Sequence, residues 1–324
     1  MKYANFLTCI GSLWLVVLLA GCAAQPIISV DKYTEVPQNP APGGSPGRLA
    51  TFVGSHEVEL AYLSYTTTGA RTALVYLHGI ESHAGWFAMA GPQLGKQGFD
   101  VYCLDRRGSG LNRENRGFLS GHVENYETLL ADIRAFITPL RDRYDHVFLV
   151  GLSWGGKLAL SYGLSHPEDI DGLVLITPGL RATADVSFLN KLKIALLSPL
   201  NPTARVAVPI EPAMFTTTPV YLEYIKDDPL RLNSATVRFF WQSHRLDRFV
   251  DRNIGENRLP IQLFLAGQDT IIDNEGVLEV LSKSQNALPD VLGYEDQTHS
   301  IQLDASQRLV EDMTNWIQRH SKFP

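Results

Sequence analysis

The stretch 147–160, Val-Phe-Leu-Val-Gly-Leu-Ser-Trp-Gly-Gly-Lys-Leu-Ala-Leu, constrains this chain more than any other. An apolar run of strand character enters Gly151-x-Ser153-x-Gly155 and leaves as a helical pattern. Glycines on either side of the serine let the backbone turn sharply and approach its neighbours closely. The serine at the tip is then held in a strained conformation, beside a helix N-terminus that favours negative charge. Gly-x-Ser-x-Gly alone is a weak signal. Set between strand and helix, it has the context that a nucleophile elbow requires.

The rest of the chain repeats the alternation. Short apolar runs at 73–77, 101–104, 147–150, 173–176 and 261–266, the last broken only by Gln262, predict strands buried on both faces. Helical patterns at 89–97, 126–141, 157–165 and 275–283 fall between them, and 308–320 predicts a closing helix. Residues 58–65 alternate like an edge strand. This order implies an α/β fold, a mostly parallel central sheet flanked by helices. From 179 to 259 the rhythm breaks: apolar residues recur at helical spacing, as at 188–200 and 235–250, with no clear strand. A segment that long is no loop, and a helical cap over the sheet is expected. The core is therefore expected in two parts, 51–178 and 260–324.

A serine hydroxyl is a poor nucleophile at neutral pH and needs a base, which in turn needs an orienting acid. With this elbow the chain order is serine, acid, histidine. Asp269 follows the apolar run 261–266 at the expected C-terminal end of a strand; Asp273 and Glu275 compete but lie farther from it. A second short run, 291–294, leads to Thr298-His299. His299 is the one histidine of nine that meets both order and placement. His56, His122 and His146 precede the serine, His166 precedes Pro167, His244 lies in the cap segment and His320 is terminal. The oxyanion needs two backbone N–H donors. Trp154, directly after the serine, and Ile80, in the loop after the run 73–77, are the candidates. His78, just before Gly79, reads as a loop-former.

The N-terminus carries a separate message. Lys2 precedes an apolar stretch at 6–20, shorter than the ~20 residues that span a bilayer but suited to a signal peptide. It ends Leu19-Ala20-Gly21-Cys22, which resembles the lipobox of bacterial lipoproteins. The resemblance implies removal of 1–21 and acylation of Cys22, giving a protein exported and lipid-anchored to the bacterial membrane. Ala23 in place of Asp favours the outer membrane, facing the periplasm. Residues 22–50, rich in proline and glycine, read as a tether between anchor and domain. Cys103, in an apolar run, reads as a buried strand residue, and no cysteine spacing suggests a metal site. With 45% hydrophobic residues, 19% charged residues, a net charge of −6 and no long Lys/Arg run, nucleic acid is not an expected partner.

From about residue 55 onward the chain resembles the monoglyceride lipase and lysophospholipase group of α/β-hydrolases. The likeness rests on the elbow, on the loop 78–87 (His-Gly-Ile-Glu-Ser-His-Ala-Gly-Trp-Phe), on the turn 104–110 (Leu-Asp-Arg-Arg-Gly-Ser-Gly), and on Gly267-Gln268-Asp269 and Thr298-His299. Two positions depart from the pattern. Ser82 stands where an acid usually precedes the loop histidine, with Glu81 one place earlier, and Trp154 replaces a common methionine, which narrows the expected acyl pocket. The resemblance implies the α/β-hydrolase fold and hydrolysis of a carboxylic ester on an amphipathic, lipid-like substrate. Ser153 would form an acyl-enzyme, with no metal or organic cofactor. A prolyl-aminopeptidase-type serine peptidase and a non-catalytic lipid-binding lipoprotein are the alternatives.

Overall fold

The computed structural model describes residues 38–113, 119–285 and 288–321. The expected signal segment 1–21, Cys22 and the expected tether as far as residue 37 lie outside them. Eight strands form one sheet: β1 (Arg48–Val53), β2 (Glu59–Tyr65), β3 (Thr72–Leu77), β4 (Phe99–Leu104), β5 (His146–Leu152), β6 (Gly172–Ile176), and, after the cap segment, β9 (Ile261–Ala266) and β10 (Asp290–Tyr294). Their spatial order is β1-β2-β4-β3-β5-β6-β9-β10. β2 runs antiparallel to both its neighbours, and every other pair is parallel.

The unbroken apolar runs have the expected cause. Alternate residues of a strand point to opposite faces, and here both faces are covered. Ala73, Val75 and Leu77 of β3 join Val147 and Leu149 of β5 in one core, together with α2 (Tyr126–Arg141) and α3 (Trp154–Ser165). Leu74, Tyr76, Phe148 and Val150 face the other core, which α1 (Ala90–Lys96) and α10 (Ser306–His320) close. Cys103 is fully buried in β4. α8 (Asn274–Ser282) and the single turn α9 (Ile301–Asp304) complete the flanking helices.

Three expectations need correction. Residues 58–65 do not form the edge: β1 pairs outside β2, so the edge lies one strand farther out. β1 begins at Arg48, inside the expected tether of 22–50. The end of that segment is also part of the folded body, since Ala41 is buried and its N–H donates to Gly85 O (3.0 Å). Proline and glycine density, the basis for expecting a tether, says nothing about whether a neighbouring surface will hold the chain. Finally, the segment 179–259 is helical, with α4 (Phe188–Leu200), α5 (Pro212–Phe215), α6 (Pro219–Asp227) and α7 (Val237–Asn253), but it is not strand-free. β7 (Arg205–Ala207) and β8 (Ser234–Thr236) pair as an antiparallel ribbon. At three residues each, they are too short to show a period.

Candidate active site

β5 is a central strand, and its C-terminal end delivers the elbow. Ser153 has φ 52° and ψ −123°, a region sparsely populated for any residue with a side chain. Two close approaches enforce it. A Cβ on Gly151 would stand 2.5 Å from Gly155 O, and one on Gly155 would stand 2.2 Å from Leu77 O at the end of β3. Only glycine lets α3 start so near the sheet. Gly156 and Gly179 both donate to Ser153 O (2.8 and 2.7 Å), which anchors the strained turn on two sides.

Asp269 and His299 arrive at the same sheet edge from the loops after β9 and β10. Asp269 Oδ1 accepts from the N–H groups of Ile271 (2.8 Å) and Ile272 (3.0 Å). Its Oδ2 is thereby aimed at His299 Nδ1, at 2.8 Å. Both side chains are buried. An ionised carboxylate only accepts, so Nδ1 carries the proton and Nε2 is left as a base. Nε2 is buried and has no hydrogen-bond partner. No hydrogen bond joins it to Ser153 Oγ here, a contact often long in unliganded sites. Asp273, the competing acid, instead caps α8 by accepting from Gly276 N (3.0 Å).

The loop after β3 forms the other wall. Ile80, Ser153 and Trp154 line a cleft of about 130 Å³ with Val208, Ile210 and Phe240 of the cap segment. Trp154 stands at the first position of α3, where the N–H has no acceptor within the helix. Its indole Nε1 donates to Ser243 Oγ of α7 (2.9 Å), tying the elbow to the cap segment. His78 is a loop-former, as expected. The Arg106 N–H donates to its Nε2 (3.2 Å), so Nδ1 holds the proton and donates to Gly79 O (2.8 Å). Burial and the Arg106 charge keep this imidazole neutral, well below the usual histidine range.

The turn after β4 explains its own sequence. Asp105 accepts from Ala84 N (2.7 Å) and Leu111 N (2.8 Å), while Arg107 pairs with Asp132 of α2 (2.5 Å). The departure at 81–82 also resolves. Glu81 pairs with Arg231 of the cap segment (2.7 Å), with its second oxygen unpartnered, and burial pushes its carboxyl up to about 7 against the pull of Arg231. Nearby, Asp228 accepts from Trp86 Nε1 (2.7 Å) and Asn39 Nδ2 (2.7 Å) and pairs with His83 Nε2 (3.1 Å). These bonds clamp residues 228–232 to the loop 81–86.

Several functional contacts were not visible in the sequence. Asp228 and Arg231 lie about 150 residues from their partners, and no local pattern marks such pairs. Thr177 has φ 40°, unusual for a β-branched residue, and its hydroxyl donates to His299 O (3.1 Å). Its place after an apolar run was the only signal.

The family model described as serine aminopeptidase, S33 (Hydrolase_4) matches residues 68–306. The chain belongs to this family. Among curated relatives, a monoacylglycerol lipase of Mycolicibacterium smegmatis is 26% identical, over 83% of this chain and 96% of its own length. A monoglyceride lipase assigned in Schizosaccharomyces pombe is 25% identical, over 77% and 68%. The solved monoglyceride lipase of Saccharomyces cerevisiae, in complex with a substrate analogue, superposes with a TM-score of 0.76 at 19% identity, covering 88% of this chain and all of its own. That likeness shows the α/β-hydrolase fold for this member of the family, with its mostly parallel sheet and flanking helices.

Proposed function

We propose that the protein is a serine hydrolase of carboxylic esters that works through an acyl-enzyme on Ser153, with monoacyl lipids such as monoacylglycerols or lysophospholipids as its substrates. The observation that carries the reading is the buried Asp269–His299 pair on the sheet edge where Ser153 is held strained. His299 Nε2 takes the Ser153 proton as Oγ attacks the ester carbonyl. The N–H groups of Ile80 and Trp154 receive the oxyanion, and the α3 N-terminus adds its positive end. His299 then protonates the leaving alcohol, and later activates the water that releases the acid. Asp269 keeps the tautomer and stabilises the imidazolium.

The choice of ester over peptide bond rests on the cleft and on the relatives. An aminopeptidase needs a free carboxylate to hold the substrate amine. Among the described residues the acid that lines the cleft is Asp185, at its exposed rim and paired with Lys191. The remaining wall is mainly apolar, suited to an acyl chain, and the curated relatives carry lipase names. The lipobox supports an exported protein, acylated at Cys22 and held at the outer membrane on its periplasmic side, near lipid substrates.

The test is covalent labelling of wild type and Ser153→Ala with a fluorophosphonate, followed by an ester series of increasing acyl length. Wild type should label and turn over monoacyl esters; the variant should do neither. A folded wild type that fails to label would leave the lipid-binding lipoprotein as the better reading.

A further inference from the structure

Arg106 belongs to neither the triad nor the pair of N–H donors, yet it touches both sides of the oxyanion site. Its Nη1 donates to Gly79 O (2.6 Å) and its Nη2 to Ile80 O (2.5 Å). The Gly79 carbonyl thus receives two donors, since His78 Nδ1 also reaches it. The described residues contain no cis peptide bond. In a trans peptide the C=O and the following N–H point in opposite directions. With the Gly79 carbonyl held against Arg106, the Ile80 N–H faces away from the guanidinium. Gly79 itself lies against the nucleophile: a Cβ there would be 3.3 Å from Ser153 Cβ and 3.7 Å from Oγ. On the other side, the guanidinium lies 5.1 Å from the ring centre of Trp154 and 5.5 Å from that of Phe239 in α7.

We propose that Arg106 is the positioning residue of the oxyanion hole: it aims the Ile80 N–H into the cleft, strengthens it as a donor, and holds Trp154 beside it. This role rests on the acyl-enzyme reading above. A cation on a carbonyl polarises the whole amide, and hydrogen bonds in series reinforce one another in a low-dielectric site. The same positive charge lies behind the Gly79–Ile80 peptide, whose N–H would face the charge that develops only in the transition state. Burial pushes the guanidinium down to about 9, with Asp105 opposing the fall, so it remains charged at neutral pH. Two anchors on one rigid fork explain why the position suits arginine better than lysine.

The experiment uses the full chain as wild type, Arg106→Met and Arg106→Lys. It measures kcat and KM on one monoacyl ester, inhibition by a trifluoromethyl ketone that forms a tetrahedral oxyanion on Ser153, and inhibition by the matching secondary alcohol, which does not. Arg106→Met should lower kcat by on the order of 10²-fold, the size seen when one oxyanion donor is lost, with KM within about threefold. Trifluoromethyl-ketone affinity should fall in step with kcat/KM, alcohol affinity should hold, and Arg106→Lys should recover part of the loss. A wild-type kcat in Arg106→Met overturns the proposal. So does a loss carried by KM, or one with unchanged ketone affinity, because a strut that merely supports the loop would act that way. Should Arg106→Met not fold, Arg106→Lys decides by the same ratio of ketone to alcohol. A wild type that neither labels with fluorophosphonate nor hydrolyses esters fails separately and removes both readings.

Discussion

At the residue scale, the two acids that competed in the sequence do different work. Asp269 spends one oxygen on two backbone N–H groups and offers the other to His299, whereas Asp273 caps α8. Asp269→Asn should therefore lower kcat by about 10⁴-fold, through the wrong imidazole tautomer. Asp273→Asn should leave kcat within about threefold, and steady-state kinetics on one ester would separate the two. Equal losses would mean that the acid had been misassigned. Glu81 makes a second test. Its folded carboxyl is raised to about 7, chiefly by burial, above the ~4.3 of an unfolded glutamate. The folded state then holds an extra proton between those values, so the stability this group contributes is complete below pH ~4.3 and is lost as pH rises through about 7. Urea unfolding of wild type relative to Glu81→Gln should show wild type losing ground from pH 5 to pH 8. A constant difference would contradict the shift.

At the element scale, the cap segment is joined to the catalytic loops at several points. Phe215 O accepts from Thr298 Oγ1 (3.0 Å) and Ser300 N (2.9 Å), on either side of His299. The Asp228 and Glu81 contacts hold the loop after β3, and Ser243 meets Trp154. α4 behaves differently. Phe188, Leu189, Leu192, Leu196 and Leu200 are exposed among the described residues, while Ile194 is buried. An apolar face of that kind is unusual on a soluble surface. The cleft at Ser153, at about 130 Å³, is also smaller than the ~300–1,000 Å³ of ordinary ligand pockets. Under the proposed lipid reading, a chain would enter with movement of the cap, and the exposed face of α4 would meet the lipid surface. Replacing Leu189, Leu192 and Leu196 by serine should cut hydrolysis of monoacylglycerol in vesicles by about tenfold or more. Hydrolysis of a soluble short-chain ester should stay within about twofold. Equal effects on both substrates would argue against a lipid-facing role.

For the whole molecule, the proposed address depends on one atom. Acylation of Cys22 would place the catalytic domain at a membrane through more than one acyl chain, enough for stable anchoring. Cys22→Ala should move the protein from the membrane to the soluble fraction of a bacterial expression host, while activity of the domain on a soluble ester is kept. Wild type found wholly in the soluble fraction would count against lipidation. Among the described residues no helix is long and apolar enough to cross a membrane. The body itself includes residues 38–47, since Ser45 N donates to Ala88 O (3.2 Å) and Tyr65 Oη donates to Ser45 O (3.0 Å).

The alternation of apolar runs and helical stretches was enough for the parallel sheet, because strands buried on both faces are nearly continuous in apolar residues, with Asp100 and Gln262 as buried polar exceptions. The elbow, Asp269 and His299 were legible for a related reason: each sits where a strand ends, and chain order limits the choice. β1 was not legible. Its residues hold no distinct period, and it is a strand because β2 offers an unpaired edge. The β7–β8 ribbon was hidden by its length. The bonds of Arg106, Thr177, Asp228 and Arg231 join segments far apart in the chain, and whether a charged or polar group meets a carbonyl there depends on packing that no local pattern records. Residue type and spacing thus determined the fold class and pointed to the candidate reacting groups, since both follow from burial and backbone geometry along the chain. Only the tertiary structure decided what holds those groups in place, because that support comes from contacts between distant segments.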